Sequence, residues 1–295
     1  MNLTEFDLIN KLRKYLPKIG DDAAWFSNKE LSPNVVISID SYVEDVDFTR
    51  KFFLLEDIGY KACACAVSDI AAMCATPKYI LVAGGITNPT EFEGIYKGIY
   101  EFAEKYKVEI IGGDITRADK IFITVCALGY GDKLVKRRGA KPGEWICVTG
   151  NLGGASAGLD ALQAGISSSI ILKQLRPEPR LDISEKLKSI ATSIIDISDG
   201  LVQDLSHILK ENNVGAVIYT SKIPLHPELH KISQVTHKDP LYYALYGGED
   251  YELLFTVKNP DLPQDTTVIG KIVEGDSIYD EFGNEIPIKG FDHFA

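Results

Sequence analysis

Apolar positions recur along this chain at two different intervals, and the alternation between them outlines its elements. In 3–16, Leu3, Phe6, Ile9, Leu12 and Leu16 fall on one helix face, with Thr4 near a start. Residues 35–40, Val-Val-Ile-Ser-Ile-Asp, form a short apolar run that ends on an acid, as a buried strand would. Small, helix-favouring residues dominate 58–76, so a closely packed helix stopped by Pro77 is predicted there. Strands are expected at 79–86, 108–114 and 121–130, the second again ending on an acid. An amphipathic helix is expected at 91–106, with its aromatic residues on the buried side.

The polar, basic stretch 132–143 has the turn chemistry of an interdomain connection. Beyond it, 145–149 reads as a strand, 150–154 as a glycine-rich turn and 156–164 as a helix. Residues 190–199 read as a strand ending in two acids, followed by a helix at 200–211. Further strands are expected at 214–219, 251–257 and 267–272. A chain of 295 residues exceeds what one core usually organises, so we expect an α+β protein of two domains, 1–132 and 133–295.

Composition narrows the partners. The formal net charge of −11 repels nucleic acid and anionic membranes, so neither is expected. The first residues are acidic with no apolar run behind them, and no segment approaches the ~20 apolar residues that cross a bilayer. Cys63, Cys65, Cys74, Cys126 and Cys147 lack C-x-x-C spacing and read as reduced, buried thiols. A cytoplasmic protein is expected.

The aspartates carry the chemistry. Asp21, Asp22, Asp40, Asp69, Asp114, Asp196 and Asp199 each sit beside Gly, Ser or Ala at the end of an apolar run, where solvated acids are uncommon. One such Asp is more often a turn or a cap. Gathered together, the set would repel itself unless a cation neutralised it, and Mg²⁺ prefers such hard oxygen ligands and shares its shell with phosphates. Walker A and G-x-G-x-x-G motifs are absent, which disfavours P-loop and Rossmann nucleotide sites. Gly112-Gly113-Asp114 and the turn 150–154 are alternative sources of phosphate-binding amides, although glycine turns are common. No His adjoins a candidate nucleophile, and no G-x-S-x-G elbow occurs.

Taken in order, these segments resemble the thiamine-monophosphate kinase family, within the superfamily of aminoimidazole ribonucleotide synthase. The resemblance rests on Ile19-Gly20-Asp21-Asp22, Ser38-Ile39-Asp40, Val67-Ser68-Asp69-Ile70-Ala71-Ala72-Met73 and Gly112-Gly113-Asp114-Ile115-Thr116-Arg117. It continues through Arg138-Gly139-Ala140-Lys141-Pro142-Gly143, Asp196-Ile197-Ser198-Asp199-Gly200, Gly247-Gly248-Glu249-Asp250-Tyr251-Glu252 and Lys289-Gly290-Phe291-Asp292-His293-Phe294.

The resemblance implies a two-domain aminoimidazole ribonucleotide synthase-like fold, with an N-terminal sheet that pairs across a homodimer and a C-terminal α/β domain. It implies direct in-line transfer of the ATP γ-phosphoryl group onto thiamine monophosphate, giving thiamine diphosphate, with Asp40, Asp114 and Asp199 at the centre of catalysis. Several Mg²⁺ ions would be held by Asp22, Ser38, the Ile39 carbonyl, Asp40, Asp69, Asp114, Asp196 and Asp199. ATP would meet Gly113, Asp114, Arg137 and Ser198, and the substrate would meet Asp47, Glu249 and Phe291. Asp47 departs from the family pattern, in which His usually stands, and Ile39 stands where Thr is common. The alternatives are a superfamily enzyme with another phosphate acceptor, or a non-catalytic nucleotide- or thiamine-binding regulator. The retained acids speak against the regulator. The absence of a cysteine before Cys63 and in the final residues speaks against selenophosphate synthetase and the hydrogenase-maturation relative.

Overall fold

A computed structural model describes residues 23–28 and 31–291. The expected helix at 3–16, Asp21, Asp22 and the closing Asp292-His293-Phe294 lie outside them.

The first half runs β1 (Ala24–Asn28), β2 (Leu31–Val43), α1 (Leu55–Ala72), β3 (Thr76–Ile86), α2 (Glu91–Tyr106), β4 (Glu109–Arg117) and β5 (Phe122–Gly131). Its strands form one sheet in the order β1-β2-β5-β3-β4. Strict alternation along β5 turns Ile123, Val125 and Ala127 inward, and α1 covers that face together with α2. The two helices cross closely because each meets the other at a glycine. A Cβ on Gly59 would stand 2.0 Å from the Ile95 carbonyl oxygen, and one on Gly98 would stand 1.8 Å from that of Glu56.

The helix predicted at 58–76 ends early. Cys74 turns into the left-handed region at φ 52, and the Ala75 amide bonds back to the Ile70 carbonyl at 3.1 Å. Thr76 must then be extended because Pro77 follows it, so 76–77 open a strand that bulges between Pro77 and Tyr79. The α2 prediction is corrected in one respect. Phe102 is buried, but Phe92, Tyr96 and Tyr100 are exposed.

The second half runs β6 (Trp145–Thr149), α3 (Gly154–Gln163), α4 (Ile171–Leu175), α5 (Leu181–Leu187), β7 (Ala191–Asp196), α6 (Leu201–Asn212) and β8 (Gly215–Ile218). It continues with α7 (Leu229–Thr236), α8 (Pro240–Tyr246), β9 (Leu253–Val257), β10 (Thr266–Val273) and β11 (Ile278–Asp280). These strands form a second sheet, ordered β11-β8-β10-β6-β9-β7 and antiparallel except where β11 meets β8. Each sheet has its own apolar core, and a further cluster joins Ala72, Cys74 and Val135 to Ile194 and Phe255 across the halves. Among the described residues, no helix is long and apolar enough to cross a membrane.

Candidate active site

The two halves meet around a cavity of about 600 Å³ whose lining includes Asp40, Asp69, Asp196 and Asp199. β2 delivers Asp40, α1 delivers Asp69, and the end of β7 delivers Asp196. The Ser38 hydroxyl donates to Asp69, and the buried Ser68 hydroxyl donates to Asp196 at 2.6 Å. Ser68 and Asp69 are neighbours on α1, so one turn of this helix holds acids from both halves.

Burial and the nearby Asp47 carboxylate push Asp40 up to about 6. Asp47 lines the same cavity, and its Oδ2 accepts the Val43 amide at 2.7 Å, closing the turn at the end of β2.

Ser198 and Asp199 occupy the bend between β7 and α6, and Asp204 holds that bend in place. Its Oδ2 accepts the amides of Ser198 and Asp199 at 3.1 Å each and that of Gly200 at 3.0 Å. Burial raises Asp204 well above the usual carboxylate range, as do Asp199 and Asp196, while the Arg137 charge acts in the opposite sense. Donor atoms of Asp199, Asp204 and His207 lie within 4.8 Å of one another. Sequence reasoning missed Asp204; its one signal was an acid in the first turn of a helix that follows two acids.

The segment 247–252 closes the cavity from the other side. Gly248 is required there, because a Cβ would stand 2.4 Å from the Ser198 carbonyl oxygen. The Glu249 amide donates to that same oxygen at 2.8 Å, and the Phe291 amide donates to the Asp199 carbonyl at 3.2 Å. Glu249 and Phe291 both line the cavity.

Asp250 and the turn 150–154 correct an expectation. Asp250 Oδ2 accepts the Gly153 amide at 2.6 Å and its Oδ1 accepts that of Ala155 at 3.0 Å. The Gly150 and Leu152 amides bond to the Asp265 and Pro224 carbonyls at 3.0 and 2.8 Å. Three of the turn's five amides, those of Gly150, Leu152 and Gly153, thus serve the fold and are not presented to a phosphate.

Gly113 and Asp114 stand apart from the cavity. Along the sheet, Ser41 pairs with Thr124, Thr124 with Ala83, and Ala83 with Asp114. That places Asp114 three strands from β2, or about 14 Å at the usual spacing. The same row is on the face turned away from α1, where the exposed Ser41 bonds to Thr124 at 2.8 Å. Ile39 and Leu81 are exposed on that face, paired through Cys126. Gly113 and Asp114 instead border a second, apolar cleft of about 500 Å³ beside Phe92 and Tyr96 of α2.

The donor set fits Mg²⁺. It consists of carboxylate and hydroxyl oxygens, the hard ligands that this cation prefers.

Comparison with known proteins agrees with this architecture. The family model described as AIR synthase related protein, N-terminal domain, matches residues 20–130. The thiamine-monophosphate kinase of Aquifex aeolicus is 36% identical, over 99% of this chain and 98% of that one. The chain belongs to the thiamine-monophosphate kinase family. The Bacillus subtilis member is 36% identical over 88% of this chain and 85% of its own. Among solved structures, AaThiL complexed with AMPPCP and TMP superposes with a TM-score of 0.91 at 34% identity, covering 99% of this chain and 97% of that one. The aminoimidazole ribonucleotide synthase-like fold expected of the family is the fold observed.

Proposed function

We propose that this protein transfers the γ-phosphoryl group of ATP to the phosphate of thiamine monophosphate, forming thiamine diphosphate and ADP. One observation carries the reading: Asp40, Asp69, Asp196 and Asp199, drawn from both halves, line one cavity with Glu249 and Phe291. Its support from relatives is the family itself, whose AaThiL structure was solved with AMPPCP and TMP.

In this reading Asp40, Asp69, Asp196 and Asp199, with Asp22, Ser38 and the Ile39 carbonyl, hold Mg²⁺. When bound, the ions neutralise the phosphate oxygens of donor and acceptor. The acceptor oxygen is already anionic, so no side chain needs to remove a proton from it. The chain's own task is to bring two anions into line, and acids fixed by Ser38, Ser68 and Asp204 do this without reorganising. Phe291 offers a ring face to the thiazolium cation.

Two copies pair through the open faces of the first sheet, with Ile39 and Leu81 as the apolar contact. The separation within one chain fits this arrangement. Arg137 and Ser198 bind a nucleotide on one side, while the partner subunit's Gly113 and Asp114 approach it from the other. We keep 1–132 and 133–295 as the two domains, on the strength of their separate sheets and cores. Five free cysteines fit a reducing cytoplasm.

The test is an acceptor panel. ADP release should depend on both thiamine monophosphate and Mg²⁺, and should not rise with other phosphomonoesters. Turnover with a different acceptor only would move the activity elsewhere in the superfamily.

A further inference from the structure

Lys61 lies mid-way along α1 and is fully enclosed, among the largest fully buried side chains of the described residues. An ammonium taken out of water must be paired, because an isolated buried charge is far too costly. Among the described residues its one ion pair is with Glu249 Oε1 at 2.8 Å, and the Tyr42 and Phe53 ring centroids lie 5.6 Å from it. No described residue meets the ammonium with hydrogen-bond geometry, so Glu249 holds it as a close ion pair.

Glu249 is therefore gripped from behind. Lys61 takes Oε1, and the Gln174 side chain donates to Oε2 at 2.7 Å. The backbone of Glu249 is held at φ 67, a left-handed conformation that a non-glycine residue adopts at a cost. Its side chain remains 30% exposed and lines the cavity. A carboxylate has about four lone-pair sites, so one inward donor and one inward cation leave acceptor capacity directed outward. The enclosed partner also cancels its charge.

We propose that Lys61 is a positioning residue for the substrate site. By fixing Glu249 with its charge balanced, it makes that carboxylate a directed acceptor for an N–H donor on the substrate's heterocycle. Glu249 then serves poorly as a counter-ion for the thiazolium cation. The matching donor on thiamine is the exocyclic amino group of its pyrimidine. This inference rests on the kinase reading above and refines the part Glu249 plays in it.

The experiment compares wild type, Lys61→Met, Glu249→Gln and the double variant by steady-state kinetics. The substrates are thiamine monophosphate and its analogue bearing oxygen in place of the pyrimidine amino group. Lys61→Met should raise KM for thiamine monophosphate about tenfold or more while leaving KM for ATP within about twofold. The double variant should be no worse than Glu249→Gln alone, since the lysine acts through that carboxylate. Wild type should prefer the amino form, and both single variants should lose the preference.

Equal increases in both KM values, or additive losses in the double variant, would overturn the proposal and leave Lys61 a packing residue. If Lys61→Met fails to fold, the double variant carries no unpaired buried charge and decides: a KM for thiamine monophosphate no higher than that of Glu249→Gln supports the proposal, and a further rise overturns it. Wild type that makes no thiamine diphosphate defeats the kinase reading by itself. Calorimetric binding of thiamine monophosphate then judges Lys61, and equal affinity in wild type and Lys61→Met overturns its role.

Discussion

The Ser68 hydroxyl donates to the Asp196 carboxylate at 2.6 Å, joining a helix of the first half to a strand of the second. Both residues are buried, so the bond lies in a medium where losing it is expensive. It also stands one residue from Asp69, and the geometry of the candidate metal site and the packing of the two halves share this contact. Ser68→Ala should lower unfolding stability by about 2 kcal/mol, the typical cost of stranding a buried charged acceptor. Urea denaturation measures it, and an unchanged midpoint would show that the halves are held by apolar packing alone.

Asp199 is fixed by backbone as well as by chemistry. Asp199→Asn keeps the shape and removes the charge, so turnover should fall by at least about 100-fold with the circular dichroism spectrum unchanged. Asp204→Asn should preserve part of the amide cradle and cost less. A larger loss at Asp204 than at Asp199 would assign the metal-holding role to the wrong acid.

Asp250 gives the fold a pH dependence. Burial pushes it up to about 7 against the pull of its two amide bonds, so from pH 3.8 upward the folded protein retains a proton that the unfolded chain releases. The folded state binds more protons across that window, and stability must fall as pH rises through it, levelling above about 7. Asp40, raised to about 6, acts in the same direction. With EDTA present, the melting temperature should be lower at about pH 7.5 than at about pH 5, and Asp250→Asn should shrink the difference. A melting temperature that rises over this interval would contradict the assignment.

Ile39 is 67% exposed and Leu81 38%, on a sheet face whose other side is covered by helices. On the proposed pairing, Ile39→Lys with Leu81→Lys should leave the protein monomeric in analytical ultracentrifugation and abolish turnover, because the partner subunit's Asp114 would not reach the nucleotide. A doubly substituted protein that remains dimeric would remove this face from the interface.

Sequence and structure agree where the signal is local. The apolar runs ending on Asp40 and Asp196 do lie on strands, but β2 continues past Asp40 to Val43 and β7 stops at Asp196, leaving Asp199 in the bend beyond it. Register is not local. That Asp114 lies three strands from β2, on the opposite face from Asp40, follows from pairings between residues far apart in the chain. Phe92, Tyr96 and Tyr100 recur at four-residue intervals and read as core, yet all three are exposed and the first two border an open cleft. α8 went unread although Asp239 caps it, accepting the Leu241 amide at 2.9 Å, because a helix of 7 residues carries little periodicity. Lys61 gave no signal at all, since a lysine among alanines and cysteines reads as solvated, and only the tertiary structure shows it enclosed beside Glu249.

The account stands most directly on one measurement: purified protein incubated with ATP, Mg²⁺ and thiamine monophosphate, with thiamine diphosphate resolved by chromatography. It predicts product formed with wild type, abolished by EDTA and by Asp199→Asn. ATP bound but thiamine monophosphate unchanged would contradict it, leaving the fold and the gathered acids to serve another acceptor.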